Sequence, residues 1–281
     1  MIASNDRTMN RRRIIAVVLA RALAALAVLL SPHVVATTFA ANLQGFGIIF
    51  LHGKGAWPGG FDGGILSSLE EEGAQVAKPE MPWSFHRRYA ATYDGAMAEI
   101  DAVVAGLRAK GASRIVVIGH SLGANAAIGY AARHPELTGV VALAPGHLPE
   151  AAPMRDFVRD AVERAKQLVA AGQGNVAQTF PDMAQGIPLT ATATPVVYLS
   201  MFDPDGPAVI PKNTAAMGRA TPPVPLLWVA GKLDPIDRRG PEYAFDAGAG
   251  NPKSKYIEVF AGHLTTPLMA HRQVVEWINS L

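Results

Sequence analysis

The chain has 281 residues, of which 49% are hydrophobic and 17% charged, and its formal charge is +2. That length and apolar fraction suit one large α/β domain, or two small ones, with a sizeable core. With no cysteine, the chain has no thiol nucleophile, no Cys-based zinc site, no lipid anchor on cysteine and no disulfide framework, so packing must hold the fold.

At the N-terminus, Arg11-Arg12-Arg13 precede an apolar run of 17 residues, Ile14 to Leu30, broken only by Arg21. Ser31-Pro32 ends the run, and Thr38-Phe39-Ala40 follows with small residues two apart. Basic, apolar and then small is the order of a secretory signal peptide, with cleavage expected after Ala40 or, as the near alternative, Ala41. The other reading is an uncleaved anchor, for which the run is short and interrupted by a charge. Arg11-Arg12 also fits a twin-arginine signal loosely, so the export route stays open. The expected location is periplasmic or secreted, with no stable membrane span after cleavage. Residues 1–40 hold Arg7, Arg11, Arg12, Arg13 and Arg21 against Asp6, a net of +4, which leaves about −2 for residues 41–281. No basic patch remains there to suit nucleic acid.

Beyond residue 40, short apolar runs alternate with amphipathic segments, which is the pattern of a parallel sheet with crossover helices. Strands are expected at Gly47 to Leu51, Gln75 to Lys78, Arg114 to Ile118, Val140 to Leu143, Leu226 to Ala230 and Tyr256 to Phe260. Short helices are expected at Ile65 to Glu72 and Glu242 to Gly248. Longer ones are expected along Tyr93 to Leu107, Leu122 to Arg133, Arg155 to Ala171 and Pro267 to Leu281, where apolar residues recur at helical spacing. Between about His147 and Thr221 the pattern loosens into a Gly/Pro/Thr-rich stretch with an extended apolar patch at Val196 to Met201. Residues 147–221 are read as an insertion, or cap, over the C-terminal edge of the sheet, where ligands bind in open α/β folds.

Gly119-His120-Ser121-Leu122-Gly123 joins one of these strands to the following helix. A G-x-S-x-G turn in that context holds a serine on a sharp, strained bend, and the glycines remove side chains that would clash with the neighbouring strand and helix. A serine hydroxyl needs a base, normally histidine, oriented by a carboxylate. Asp234 follows the strand Leu226 to Ala230, and Gly262-His263 follows the strand Tyr256 to Phe260. Asp203, Asp205 and Asp237 are alternative acids, although Asp203-Pro204-Asp205-Gly206 reads as a turn. Of the other histidines, His52 reads as a loop brace, His120 as packing beside the elbow, and His134 and His271 as surface residues. There is no H-E-x-x-H, and Gly53-Lys54-Gly55 lacks the spacing of a phosphate loop, so neither a metal nor a cofactor is implied.

The order Ser121, Asp234, His263, the elbow, and His52-Gly53 after the first strand together resemble the α/β-hydrolase superfamily of serine hydrolases, over residues 46–281. The resemblance implies a nucleophile at Ser121, a base at His263 and an acid at Asp234, with backbone N–H groups of Leu122 and Lys54 forming the oxyanion hole. The Lys54 side chain, not needed for that role, is expected to be solvated. Few residues separate Ala40 from the first strand, leaving no room for the two additional strands with which the superfamily's sheet usually begins. The expected fold is therefore reduced to about six parallel strands, with helices on both faces and a cap. The implied activity is cleavage of a carboxylic ester, with thioesterase or amidase/peptidase chemistry as alternatives and a non-catalytic binding protein as a reading of another class. The expected partner is a small-molecule ester or acyl substrate, and oligomeric state is left open. Trp83, Tyr198, Met201 and Phe202 are candidate pocket walls.

Overall fold

A computed structural model describes residues 42–236 and 239–281. The expected signal peptide, its cleavage near Ala40 and the alternative acid Asp237 lie outside those residues.

Six strands form one parallel sheet: β1 (Phe46–Leu51), β2 (Gln75–Ala77), β3 (Arg114–His120), β4 (Gly139–Leu143), β7 (Leu226–Gly231) and β8 (Lys255–Val259), in the order β2-β1-β3-β4-β7-β8. Apart from the half-buried Arg114 at the start of β3, the central strands are buried end to end, as expected where helices cover both faces. Successive side chains point to opposite faces. Ile48, Phe50, Val116, Ile118, Val141, Leu143, Leu227 and Val229 therefore pack with α1 (Ile65–Glu71) and α8 (Thr266–Asn279). Ile49, Leu51, Ile115, Val117, Val140, Ala142 and Trp228 face the other side, against α2 (Tyr93–Ala109) and α3 (Leu122–Ala131). Every residue of α3 is buried, because its small Ala and Gly side chains let it sit directly over the middle of the sheet.

Between β4 and β7 the chain forms α4 (Met154–Ala170), a hairpin of β5 (Gln178–Ala184) and β6 (Ile187–Ala193), α5 (Pro195–Phe202) and α6 (Ile210–Gly218). The hairpin turns on Gln185 (φ 50) and Gly186 (φ 80), the positive pair that a two-residue connection with the correct twist requires. The expected extended patch at Val196 to Met201 is instead the helix α5. Its start is set by Thr194, whose hydroxyl accepts from Val197 N–H at 3.4 Å, and by Pro195 in the first turn. Beyond β7 come a 3₁₀ turn (Pro241–Tyr243) and the four-residue α7 (Phe245–Gly248). No helix among the described residues is long and apolar enough to cross a membrane.

Candidate active site

Ser121 stands between β3 and α3 with φ 56 and ψ −119, a conformation that costs a non-glycine residue free energy and persists only when its surroundings impose it. Those surroundings are close. A Cβ on Gly119 would overlap the Gly123 backbone, and one on Gly123 would overlap the Leu51 carbonyl at the end of β1. The bend is further held by Ser121 N–H donating to Leu143 O (3.0 Å) and by the Ser121 carbonyl accepting from Gly146 N–H (3.2 Å).

Three strand ends bring the expected residues together. Ser121 Oγ lies 2.8 Å from His263 Nε2, and His263 Nδ1 lies 2.6 Å from Asp234 Oδ2. Asp234 is fully buried, and His263 is 4% exposed. The second Asp234 oxygen accepts from Ile236 N–H at 2.9 Å, so the carboxylate is clamped and cannot swing away from the imidazole. Asp203 and Asp205 are absent from this line. Asp203 Oδ1 accepts from Asp205 N–H at 2.9 Å within a turn, and Asp205 pairs with Lys212 at the surface.

The loop after β1 is braced from several sides. His52 Nδ1–H donates to Gly53 O (2.8 Å), and its Nε2 accepts from Met81 N–H (3.0 Å). This needs a neutral ring, and burial lowers the His52 pKa accordingly. Because a peptide unit is planar and trans, pinning the Gly53 carbonyl also sets the direction of Lys54 N–H. Trp83 Nε1–H donates to His52 O at 2.8 Å. Neither Lys54 N–H nor Leu122 N–H donates to an acceptor among the described residues, so both are unspent.

The Lys54 side chain, expected in solvent, is buried. Its ammonium pairs with Asp182 of β5, donates to Met183 O at 3.0 Å and lies 5.4 Å from the centre of the Phe202 ring. The carboxylate supplies a partner that lets the charge leave water; burial still lowers the Lys54 pKa, and Asp182 opposes the shift.

A cavity of about 170 Å³ opens beside Ser121 and His263. It lies between the loop after β1, the residues after β4, the β5–β6 hairpin and the loop after β7. Trp83, Tyr198, Met201 and Phe202 are buried in the core instead, and Tyr198 and Phe202 stack with centroids 4.3 Å apart. His120 packs beside the elbow, as expected. Its Nε2–H donates to His263 O at 3.0 Å, and burial together with the nearby His263 pushes its pKa down to about 4. His134 stacks on Tyr130, and His271 meets Ser68 Oγ at 2.8 Å, both away from this cavity.

Four residues that the sequence did not single out also shape the site. Gly146 is so close to the serine that a Cβ there would stand 2.9 Å from Ser121 Oγ and 3.4 Å from His263 Cε1. His147 donates through Nε2–H to Met201 O at 2.8 Å and is held neutral, its pKa pushed down to about 3 by burial and then by Lys54. Arg239 joins the loop after β7 to the start of α4, donating to Ile236 O (2.8 Å) and Ala152 O (2.9 Å). Asp182 is the fourth. Of the four, Gly146 alone carries a local signal, following Pro145 just past the expected strand Val140 to Leu143.

Among solved structures, the chain is similar to the monoacylglycerol lipase of Paleococcus ferrophilus, at 20% identity over 83% of this chain and 94% of that one, with a TM-score of 0.60. It is also similar to the siderophore hydrolase EstB of Aspergillus fumigatus (14% identity, 84% and 91% covered, TM-score 0.60). A third similar structure is Est1E of Butyrivibrio proteoclasticus with bound ferulic acid (17% identity, 83% and 88% covered, TM-score 0.56). The fold is that of the α/β-hydrolases. Within this α/β-hydrolase fold, residues 81–188 match the family described as serine aminopeptidase, S33. That match spans the elbow, the end of β4 and the first strand of the hairpin. No curated protein matches the sequence.

Proposed function

We propose that the protein is an exported serine hydrolase that cleaves a carboxylic ester through an acyl-enzyme on Ser121. The observation that carries this reading is the hydrogen-bonded line from Asp234 through His263 to Ser121 Oγ, at 2.6 and 2.8 Å, beside a cavity. Ser121 Oγ attacks the ester carbonyl carbon while His263 Nε2 takes its proton. The carbonyl π pair moves onto oxygen, where Lys54 and Leu122 N–H receive it. When the carbonyl re-forms, the C–O bond to the alcohol breaks and His263 returns the proton to the departing alkoxide. Water repeats the sequence: its oxygen attacks the acyl carbon as His263 takes its proton, the acyl–Ser121 bond breaks, His263 returns the proton to Ser121 Oγ, and the acid leaves. Asp234 holds the imidazole in the tautomer that presents a lone pair to Ser121 and stabilises the imidazolium that forms.

The neighbours named as a lipase and as a hydrolase support the reaction class, and the cavity chemistry supports an ester over an N-terminal peptide bond. Its described lining holds no carboxylate to pair with the free α-ammonium that an aminopeptidase must hold, and it carries the cation Arg239, which repels one. Export rests on the basic, apolar and small-residue order of residues 11–40; the mass of the secreted product should place its N-terminus at Ala41 or Asn42. The activity is tested by turnover of p-nitrophenyl esters of several chain lengths, beside Ser121→Ala. Hydrolysis by the unmutated protein and its loss in the variant are expected; equal rates in both would remove Ser121 from the chemistry.

A further inference from the structure

Lys54 is anchored twice over, and its two anchors belong to different parts of the chain. Its peptide plane is set by His52 through Gly53 O, on the loop after β1. Its ammonium is set by Asp182 and Met183 O, on β5. Asp182 in turn is held at both oxygens: the one that meets Lys54 also accepts from Met183 N–H at 2.6 Å, and the other accepts from the Tyr89 hydroxyl at 3.0 Å. Three separate segments thus converge on one buried carboxylate, whose side chain is 4% exposed against 13% for Lys54.

Packing alone does not account for these charges. Burying an ion pair costs desolvation, and apolar residues of the same volume often hold a core equally well or better. What a charged, hydrogen-bonded pair adds is a fixed direction, since ammonium and carboxylate must meet at defined acceptors. Here that direction connects two places that matter. The residues just after Asp182, namely Met183, Ala184, Gln185 and Gly186, line the cavity beside Ser121. At the other end of the pair is the amide that is read above as an oxyanion donor.

We propose that the Lys54–Asp182 pair is a positioning device, tying the oxyanion-hole amide of Lys54 to the hairpin that walls the substrate cavity. The inference rests on the serine-hydrolase reading and assigns Lys54 two jobs: its backbone N–H touches the reacting oxygen, and its side chain sets where that N–H stands. Asp182 acts only through Lys54. A substrate group that presses on Met183 or Ala184 therefore acts on the hole as well, so acyl shape registers in kcat as well as in KM.

The test uses protein expressed from the full sequence. Lys54→Met leaves Asp182 buried and unpaired and risks unfolding, so the informative variant is the double one, Lys54→Met with Asp182→Leu, which removes both charges together. Three quantities are read: Tm, kcat and KM for a p-nitrophenyl ester, and the rate constant for phosphonylation by a fluorophosphonate, whose attack also places negative charge on an oxygen in the hole. Removing a whole oxyanion donor costs about 10²–10³ in kcat. A displaced donor should cost at least about tenfold in kcat and in phosphonylation rate, with KM changed less than about threefold. Tyr89→Phe, which removes one hydrogen bond to Asp182 and no charge, should move both rates in the same direction by about twofold or more and covers the case in which the double variant does not fold. Rates within twofold of the unmutated protein in the folded double variant, at any Tm, would overturn the proposal, as would unchanged rates in Tyr89→Phe if the double variant does not fold. Failure of the unmutated protein to be phosphonylated would instead overturn the serine-hydrolase reading itself.

Discussion

Two glycine substitutions near the same serine should fail in opposite ways, because their new methyl groups meet different kinds of atom. At Gly146 an added Cβ stands 2.9 Å from Ser121 Oγ and 3.4 Å from His263 Cε1, and its next neighbour is Ser121 Cα at 3.6 Å. The first distance is roughly 0.6 Å inside an optimal separation of about 3.5 Å. The offending atom is the end of a side chain, so it moves, and Gly146 is not among the glycines with positive φ. Gly146→Ala should therefore fold, with a Tm within a few degrees of the original. Its cost falls on the 2.8 Å contact between Ser121 and His263. If a 1 Å misplacement costs about 10²-fold, a shift of half that size should lower kcat/KM by about tenfold. At Gly123 the added methyl overlaps the Leu51 carbonyl and approaches His52 O at 2.7 Å. Both are backbone atoms, one of them in a central strand, and neither can yield. Overpacking of this kind costs about 3 kcal/mol or more, which for a domain of this size lowers Tm by about 6–12 °C. Thermal melts and p-nitrophenyl ester kinetics on both variants separate the effects. Full activity in Gly146→Ala, or an unchanged Tm in Gly123→Ala, would refute the reasoning.

Asp234→Asn should keep the fold but leave His263 without its orienting anion, lowering kcat by about 10⁴-fold with little change in KM; a loss below tenfold would move the acid role to another carboxylate. Trp83→Phe removes the only donor described for the buried His52 carbonyl, which should cost about 1–3 kcal/mol, and an unchanged Tm would show that the brace contributes nothing. The buried rings of His120 and His147 have pKa values pushed below the ordinary 6.5, to about 4 and about 3. The folded state therefore binds fewer protons than the unfolded chain, and the stability these rings contribute is intact above pH 6.5 and is lost as pH falls towards 3. Each adds a slope of up to about 1.4 kcal/mol per pH unit in that window. Denaturant melts of His147→Asn between pH 7 and pH 4 should show a flatter loss than the unmutated protein, and parallel curves would refute the assignment.

The central strands were legible because they are buried on both faces and read as apolar runs, such as Ile115-Val116-Val117-Ile118. The elbow was legible because Gly119 and Gly123 answer a steric demand that involves only β1, β3 and α3. Asp234 and His263 could be paired with Ser121 because each follows a strand that ends at the same sheet edge. The hairpin was not legible. β6 alternates Ile187, Leu189, Ala191 and Ala193 with Pro188, Thr190 and Thr192, but it is mostly exposed, its proline argues against a strand, and its turn places Gln185, a residue with no special preference for it, at positive φ. The helix at Val196 to Met201 was obscured by its two valines, although Thr194-Pro195 carried a start signal. Asp182 had no local signature at all. Its meaning comes from Lys54, 128 residues earlier, and only the folded chain brings the two together. For the same reason, a lysine that reads as solvent-facing in the sequence is buried in the fold.

The central claim is that Ser121 is the nucleophile, and the most direct measurement is the site of covalent capture. After the protein reacts with a fluorophosphonate, proteolysis and mass spectrometry should find a single added phosphonyl group, on the peptide holding Gly119 to Gly123 and on Ser121 itself, with none in Ser121→Ala. Labelling at another residue, or equal labelling of the two proteins, would contradict it.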